Sequence, residues 1–73
     1  MSTIGTRLRN ARSLKKFTIA ELSKQSAVSP GAISLAERDL SVPAADSLGR
    51  ICLVLGISAD HAIYGETVKR GDE

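Results

Sequence analysis

Within residues 18–43 the chain reads TIAELSKQSAVSPGAISLAERDLSVP, and only Ala27 and Val28 separate two strongly marked helices. Thr18, followed three residues later by Glu21, forms a capping box in which each side chain satisfies an orphan amide of the first turn. Phe17 and Leu22 fit the flanking positions of a hydrophobic staple, so a helix is predicted over residues 19–26. Ser29 supplies the next cap, and Pro30 occupies the first helical position, where a missing N–H does no harm. Two helices with so short a link must meet at a sharp corner.

The remaining elements follow from spacing. Ile4, Leu8 and Ala11 recur at helical intervals and predict a helix over 4–16. Leu14 sits at the edge of that stripe and the Lys15 stem snorkels beside it. The helix begun at Pro30 ends near Arg38, with Asp39 as a left-handed residue, and residues 40–43 form a loop. Leu48, Ile51, Cys52 and Leu55 share one face of a helix over 45–55 that Gly56 stops. Ser58 caps a short last helix through Tyr64, which Gly65 ends. No strand pattern or repeat competes, so the fold class is all-α with five short helices. Residues 1–65 form the domain, and the polar residues 66–73 are a tail or the start of a linker.

Composition narrows the function. A chain of 73 residues is near the lower limit for folding without staples, and its one cysteine, Cys52, forms no internal disulfide. Aromatic residues are 3%, so the core is aliphatic, with Cys52 as part of it. No Cys/His cluster has metal-ligand spacing, and no metal or other cofactor is expected. One histidine, one cysteine and no paired carboxylates in a pocket-forming arrangement leave nothing to carry catalysis, so the chain reads as a non-enzyme. No apolar run is long enough to span a membrane, and a free thiol without an apolar leader suggests a cytoplasmic setting. Net charge is +2, but residues 1–24 carry six bases against one acid and residues 25–73 carry four against seven. That basic end is either a footprint for nucleic acid or a solvated helix face, and charge alone leaves both open.

The corner between the helices, the Glu37-x-Asp39-x-x-x-Pro43 exit and the Leu55-Gly56-Ile57-Ser58 segment come in a familiar order. Over residues 4–65 the chain resembles the helix-turn-helix domains of phage repressors and Cro proteins, often called the xenobiotic response element family. The resemblance implies a compact five-helix domain of the lambda-repressor type with a central helix-turn-helix. Leu22, Val28 and Ile33 would then anchor the two helices, with the small Ser23 at their closest approach. Two positions depart from the pattern. Ala27 stands where a left-handed turn usually takes glycine, a cost of about 1 kcal/mol, and Ser26 stands where an apolar residue is usual.

By the same resemblance the chain is a sequence-specific DNA-binding transcriptional regulator. The commonest setting is a phage or prophage repressor that binds a near-palindromic operator on double-stranded DNA as a homodimer. Ser29, Pro30, Gly31, Ser34, Leu35 and Arg38 would face the bases. None of these is a glutamine or asparagine, the usual bidentate readers of adenine; they offer two hydroxyls, an apolar surface for a thymine methyl and one guanidinium. Ser34 is as readily a solvated residue, and Leu35 as readily packs on a neighbour. Phosphates would be held by the start of the second helix at Thr18 and Ile19 and by the strip of Arg9, Arg12 and Lys16. Arg12 and Glu37 would pair and fix the recognition helix. Ala59, His61 and Tyr64 would lie near a two-fold dimer contact. The uncharged loop of Leu40, Ser41 and Val42 predicts modest affinity per monomer. With Leu35 it also motivates a second reading, a protein-binding module such as an antitoxin or a domain that docks a regulatory partner.

Overall fold

The computed structural model describes residues 3–65. Five helices follow in order: α1 Ile4–Leu14, α2 Ile19–Ser26, α3 Pro30–Glu37, α4 Ala45–Leu55 and α5 Ala59–Tyr64, with no strand among the described residues. Residues 66–73, expected to be a tail or a linker, lie outside that range.

The corner between α2 and α3 forms as its sequence requires. The Thr18 amide donates to Glu21 Oε1 at 2.9 Å and the Glu21 amide to Thr18 Oγ1 at 3.0 Å, completing the capping box. Ser29 Oγ accepts from the Ala32 amide at 3.2 Å, with Pro30 opening α3. Between them Ala27 keeps the left-handed conformation, φ 61° and ψ 22°, despite its Cβ. Ser26 is buried, and its hydroxyl accepts from the Val28 amide at 3.3 Å. The polar residue in an apolar place thus satisfies an amide of the turn that it precedes.

The other helix ends show one device three times. In α1, α3 and α4 the residue after the last turn is left-handed, and the next amide reaches back five residues. Phe17 donates to the Arg12 carbonyl at 3.2 Å, Leu40 to Leu35 at 2.9 Å and Ile57 to Cys52 at 3.1 Å. The left-handed residues are Lys16 (φ 59°), Asp39 (φ 59°) and Gly56 (φ 73°), so only one of the three is glycine. This closure ends α1 at Leu14, two residues before the expected Lys16. It also turns Leu14 out of the core, leaving it 86% exposed. Lys15 crosses beside Gly56, where an added Cβ would lie 3.7 Å from its Cε, and shares a shallow hollow with Ala11, Leu14, Leu55 and Ile57.

All five helices contribute to one aliphatic core. Leu8, Leu22, Ile33 and Ile51 are its largest fully buried side chains, one from each of α1 to α4, and Ala62 joins from α5. Val28 from the turn, Leu48, Cys52 and Leu55 complete the centre, while Ile4, Phe17, Ile19, Val54 and Ile57 pack at its rim. Truncating Leu22 or Ile33 to alanine removes about 2–5 kcal/mol, a large share of the stability of so small a domain.

The first turn of α1 lies tight against the end of α3. A Cβ on Gly5 would lie 2.4 Å from the Ala36 carbonyl oxygen and 2.6 Å from that of Glu37. Only glycine allows the first turn of α1 to rest on the last turn of α3. The positive end of one helix thereby meets the negative end of the other.

The retained left-handed turn gives a direct test. Ala27→Gly relieves the steric cost and is expected to stabilise the protein by about 1 kcal/mol, or roughly 4–8 °C in Tm. A Tm unchanged or lowered in thermal unfolding followed by circular dichroism would contradict the strain assigned to Ala27.

Candidate nucleic-acid interface

Helix α3 divides its residues by periodicity. Ile33 and Ala36 are buried, and the Glu37 side chain is 5% exposed. The opposite stripe of Gly31, Ser34, Leu35 and Arg38 turns outward, Ser34 half-buried and the other three exposed, and Ser29 and Pro30 are exposed at its start. A Cβ added to Gly31 would meet nothing within 4 Å, so packing does not demand glycine there. The Ser29 hydroxyl is already an acceptor in the helix cap, and its own proton is left to donate outward.

Beside that stripe lies a shallow hollow of about 210 Å³, bounded by Arg9, Arg12, Ile19, Ser34, Glu37 and Arg38. The fold thus brings together three arginines from two helices, the first residue of α2 and two of the residues expected to face the bases. Thr18 and Lys16 are exposed but do not line this hollow. At the start of α2 the capping box engages the Thr18 and Glu21 amides, and no hydrogen bond occupies those of Ile19 and Ala20 among the described residues. The amides open to an anion are therefore those two.

Arg12 and Glu37 form a bidentate pair: Nε donates to Oε2 at 2.7 Å and Nη2 to Oε1 at 2.9 Å. Nη1 also donates to the Phe17 carbonyl at 2.8 Å, which ties the α1–α2 link into the same knot. The two side chains are 15% and 5% exposed, so this is a largely buried ion pair rather than a surface one. The bonds to Glu37 push the Arg12 pKa above its already high ordinary value. The guanidinium stays charged with N–H groups to spare.

Four hydrogen bonds had no local signal in the sequence. The Thr3 hydroxyl donates to Asp39 Oδ2, and the Gly5 amide donates to Asp39 Oδ1 at 2.9 Å. The residue that closes α3 thus also caps α1, beside Thr3, whose own hydroxyl accepts from the Thr6 amide at 3.1 Å. Arg7 Nε and Nη2 donate to the Ala62 and Ile63 carbonyls at 2.9 and 2.7 Å, fastening the last turn of α5 to α1. These partners stand 34 to 56 residues apart.

The three residues expected at a dimer contact do not share one face of α5. Ala59 is exposed, but His61, two residues on, points to another side and lies half-buried in a hollow with Arg7, Asn10, Leu14 and Ile57. Tyr64 is 64% exposed, and Ile63, not anticipated, is 38% exposed and shares a helical face with Ala59.

Two predictions follow from these bonds. Arg12→Ala leaves Glu37 buried without a partner and should cost about 3 kcal/mol, read as a lower Tm; an unchanged Tm would reduce the pair to a surface ornament. Glu21 and Asp39 are both held below their ordinary range, Glu21 first by the Thr18 amide and Asp39 first by the Thr3 hydroxyl and then by the Gly5 amide. Their folded pKa values lie below the unfolded ones. Their stabilisation is therefore complete above the unfolded values and is lost as pH falls through the folded ones. Tm should decline below about pH 4, and more shallowly in Glu21→Gln and Asp39→Asn. Equal slopes in all three proteins would show that these carboxylates do not contribute.

A family model described as helix-turn-helix matches residues 8–61. Comparison with curated protein sequences gives no match. Among solved structures, the P22 c2 repressor protein in complex with a synthetic operator is 32% identical with a TM-score of 0.86, over 90% of this chain and 100% of that one. The biofilm regulator SinR in complex with DNA is 28% identical with a TM-score of 0.78, over 82% of this chain and 97% of that one. The clp gene regulator ClgR from Corynebacterium glutamicum is 36% identical with a TM-score of 0.75, over 81% of this chain and 63% of that one. No helix among the described residues is long and apolar enough to cross a membrane. With five helices in this order around a capped α2–α3 corner, the chain belongs to the Cro/C1-type helix-turn-helix family of DNA-binding transcriptional regulators.

Proposed function

We propose that this protein is a sequence-specific repressor of phage or prophage type, acting in the bacterial cytoplasm as a homodimer on a near-palindromic operator. The observation that carries the reading is the hollow of Arg9, Arg12, Ile19, Ser34 and Arg38 beside the outward stripe of α3. It offers phosphate donors and base-reaching side chains on one surface, which is what a helix set into the major groove requires.

In this reading the open amides of Ile19 and Ala20, with Arg9 and Arg12, hold a backbone phosphate against the start of α2. Thr18 and Lys16 reach the phosphates to either side. That grip sets the register in which α3 enters the groove. The small surface at Pro30 and Gly31 lets its first turn come close to the base edges. Ser29 and Ser34 hydrogen-bond there, Leu35 meets a thymine methyl, and Arg38 reaches a guanine. The P22 c2 repressor in complex with a synthetic operator and SinR in complex with DNA support DNA as the partner. An α5 face of Ala59 and Ile63, with Tyr64 beside it, is the proposed contact between protomers, and His61 lies on the other side of the helix.

A second reading is motivated by the apolar side chains of Leu35, Leu40 and Val42, which are 41%, 62% and 73% exposed around the end of α3. In it, that patch docks a protein partner. Salt separates the two, since phosphate neutralisation makes affinity fall steeply with ionic strength and apolar docking does not.

The test is selection from random-sequence duplexes at about 100 mM salt, with enrichment of two half-sites roughly one helical turn (~10 bp) apart as the expected result. Gly31→Ala should leave Tm equal or higher, yet weaken the selected site by about tenfold, because a methyl group enters the closest approach to DNA. A folded protein that enriches nothing, or that binds with no salt dependence, would favour the protein-docking reading.

A further inference from the structure

Glu37, Arg38 and Asp39 are consecutive, and the two carboxylates are both turned to α1. Glu37 is held by Arg12, and Asp39 is held by the Thr3 hydroxyl and the Gly5 amide. The two tethers grip α1 at Gly5 and Arg12, about 10 Å apart along its axis. Between them, the Arg38 side chain is exposed and has no hydrogen bond or ion pair among the described residues. An arginine flanked by two acids ordinarily risks neutralisation by either of them. Here both acids are engaged elsewhere, and the backbone on each side of Arg38 is fixed to a second helix.

We propose that Asp39 is a positioning residue for DNA reading. By capping α1 while it closes α3, it fixes the last turn of the recognition helix, and it keeps its own carboxylate off Arg38. The proposal rests on the repressor reading above, in which Arg38 contacts a base. It assigns specificity to a residue that need not touch DNA and whose charge would repel it.

Charge alone predicts the reverse outcome, which makes the proposal testable. Removing an acid near a DNA surface should tighten binding to every sequence. Asp39→Gly keeps the left-handed turn, where glycine is the favoured residue, and loses only the tether. The quantity to measure is the ratio of affinities for the selected operator and for a random duplex, at one salt concentration. The expected result is a ratio roughly tenfold lower in Asp39→Gly, with random-duplex affinity equal or higher, since one good base contact is worth about that much. Asp39→Asn tolerates the same backbone, keeps an oxygen for the Gly5 amide, and should stay within about threefold of the wild-type ratio. In an Arg38→Ala background, Asp39→Gly should have no further effect on the ratio.

Thermal unfolding confirms that each variant is folded. An undiminished ratio in Asp39→Gly overturns the proposal. So does an equal loss in the Arg38→Ala background, which would mean that Asp39 acts without Arg38. If the wild-type chain itself selects no operator, the repressor reading fails first and is recognised as such before any variant is compared.

Discussion

Helix α3 contributes only Ile33 and Ala36 to the core from its eight residues, so burial alone does not orient it. The bidentate Arg12–Glu37 pair supplies what burial does not. It joins α3 to α1, and through the Phe17 carbonyl it also fixes the link that leads into α2. Three elements that carry the candidate interface therefore share one guanidinium. An arginine suits this place better than a lysine because its planar fork makes both carboxylate bonds at once and still reaches a carbonyl. The same group lines the hollow beside the outward face of α3, so the bond that holds the helix also sets charge where an anion would sit.

What the sequence made legible was local. Thr18 with Glu21, Ser29 with Pro30, Gly56 and Gly65 act within one turn of themselves, and the bounds of α2, α4 and α5 were read from them correctly. The apolar spacing likewise identified Leu8 and Ile51 as inward residues, and the family resemblance did so for Leu22 and Ile33. The end of α1 was misread because Lys16 adopts a conformation for which lysine carries no signal. Apart from the Arg12–Glu37 pair, which the resemblance implied, contacts across the chain were invisible for a different reason. Nothing near Asp39 says that it caps a helix begun 34 residues earlier, and nothing near Arg7 points to the carbonyls of α5. Gly5, in the first turn of a helix, was the one local oddity that a crowded neighbour would have explained. On α5 the turn of the helix separates His61 from Ala59, which spacing alone would have shown.

The electrostatic character of the α3 side comes from placement more than from number. The chain carries only a small net positive charge, and it has acids at Glu21, Glu37 and Asp39 on or beside the helix-turn-helix. Each of those acids is bound to a helix N-terminus or an arginine. The basic residues Arg9 and Arg38 keep their charge on the open side. A uniform distribution of the same residues would present a nearly neutral surface.

The outward stripe of α3 has one more consequence. Gly31, Leu35 and Arg38 lie outside the core, and at Gly31 there is open space on every side, so the residues that would choose a DNA sequence are nearly independent of those that hold the fold. A chain built this way can change its target through substitutions that leave its stability almost untouched. Divergence among such regulators can therefore proceed along one face of one helix while the scaffold beneath it stays still.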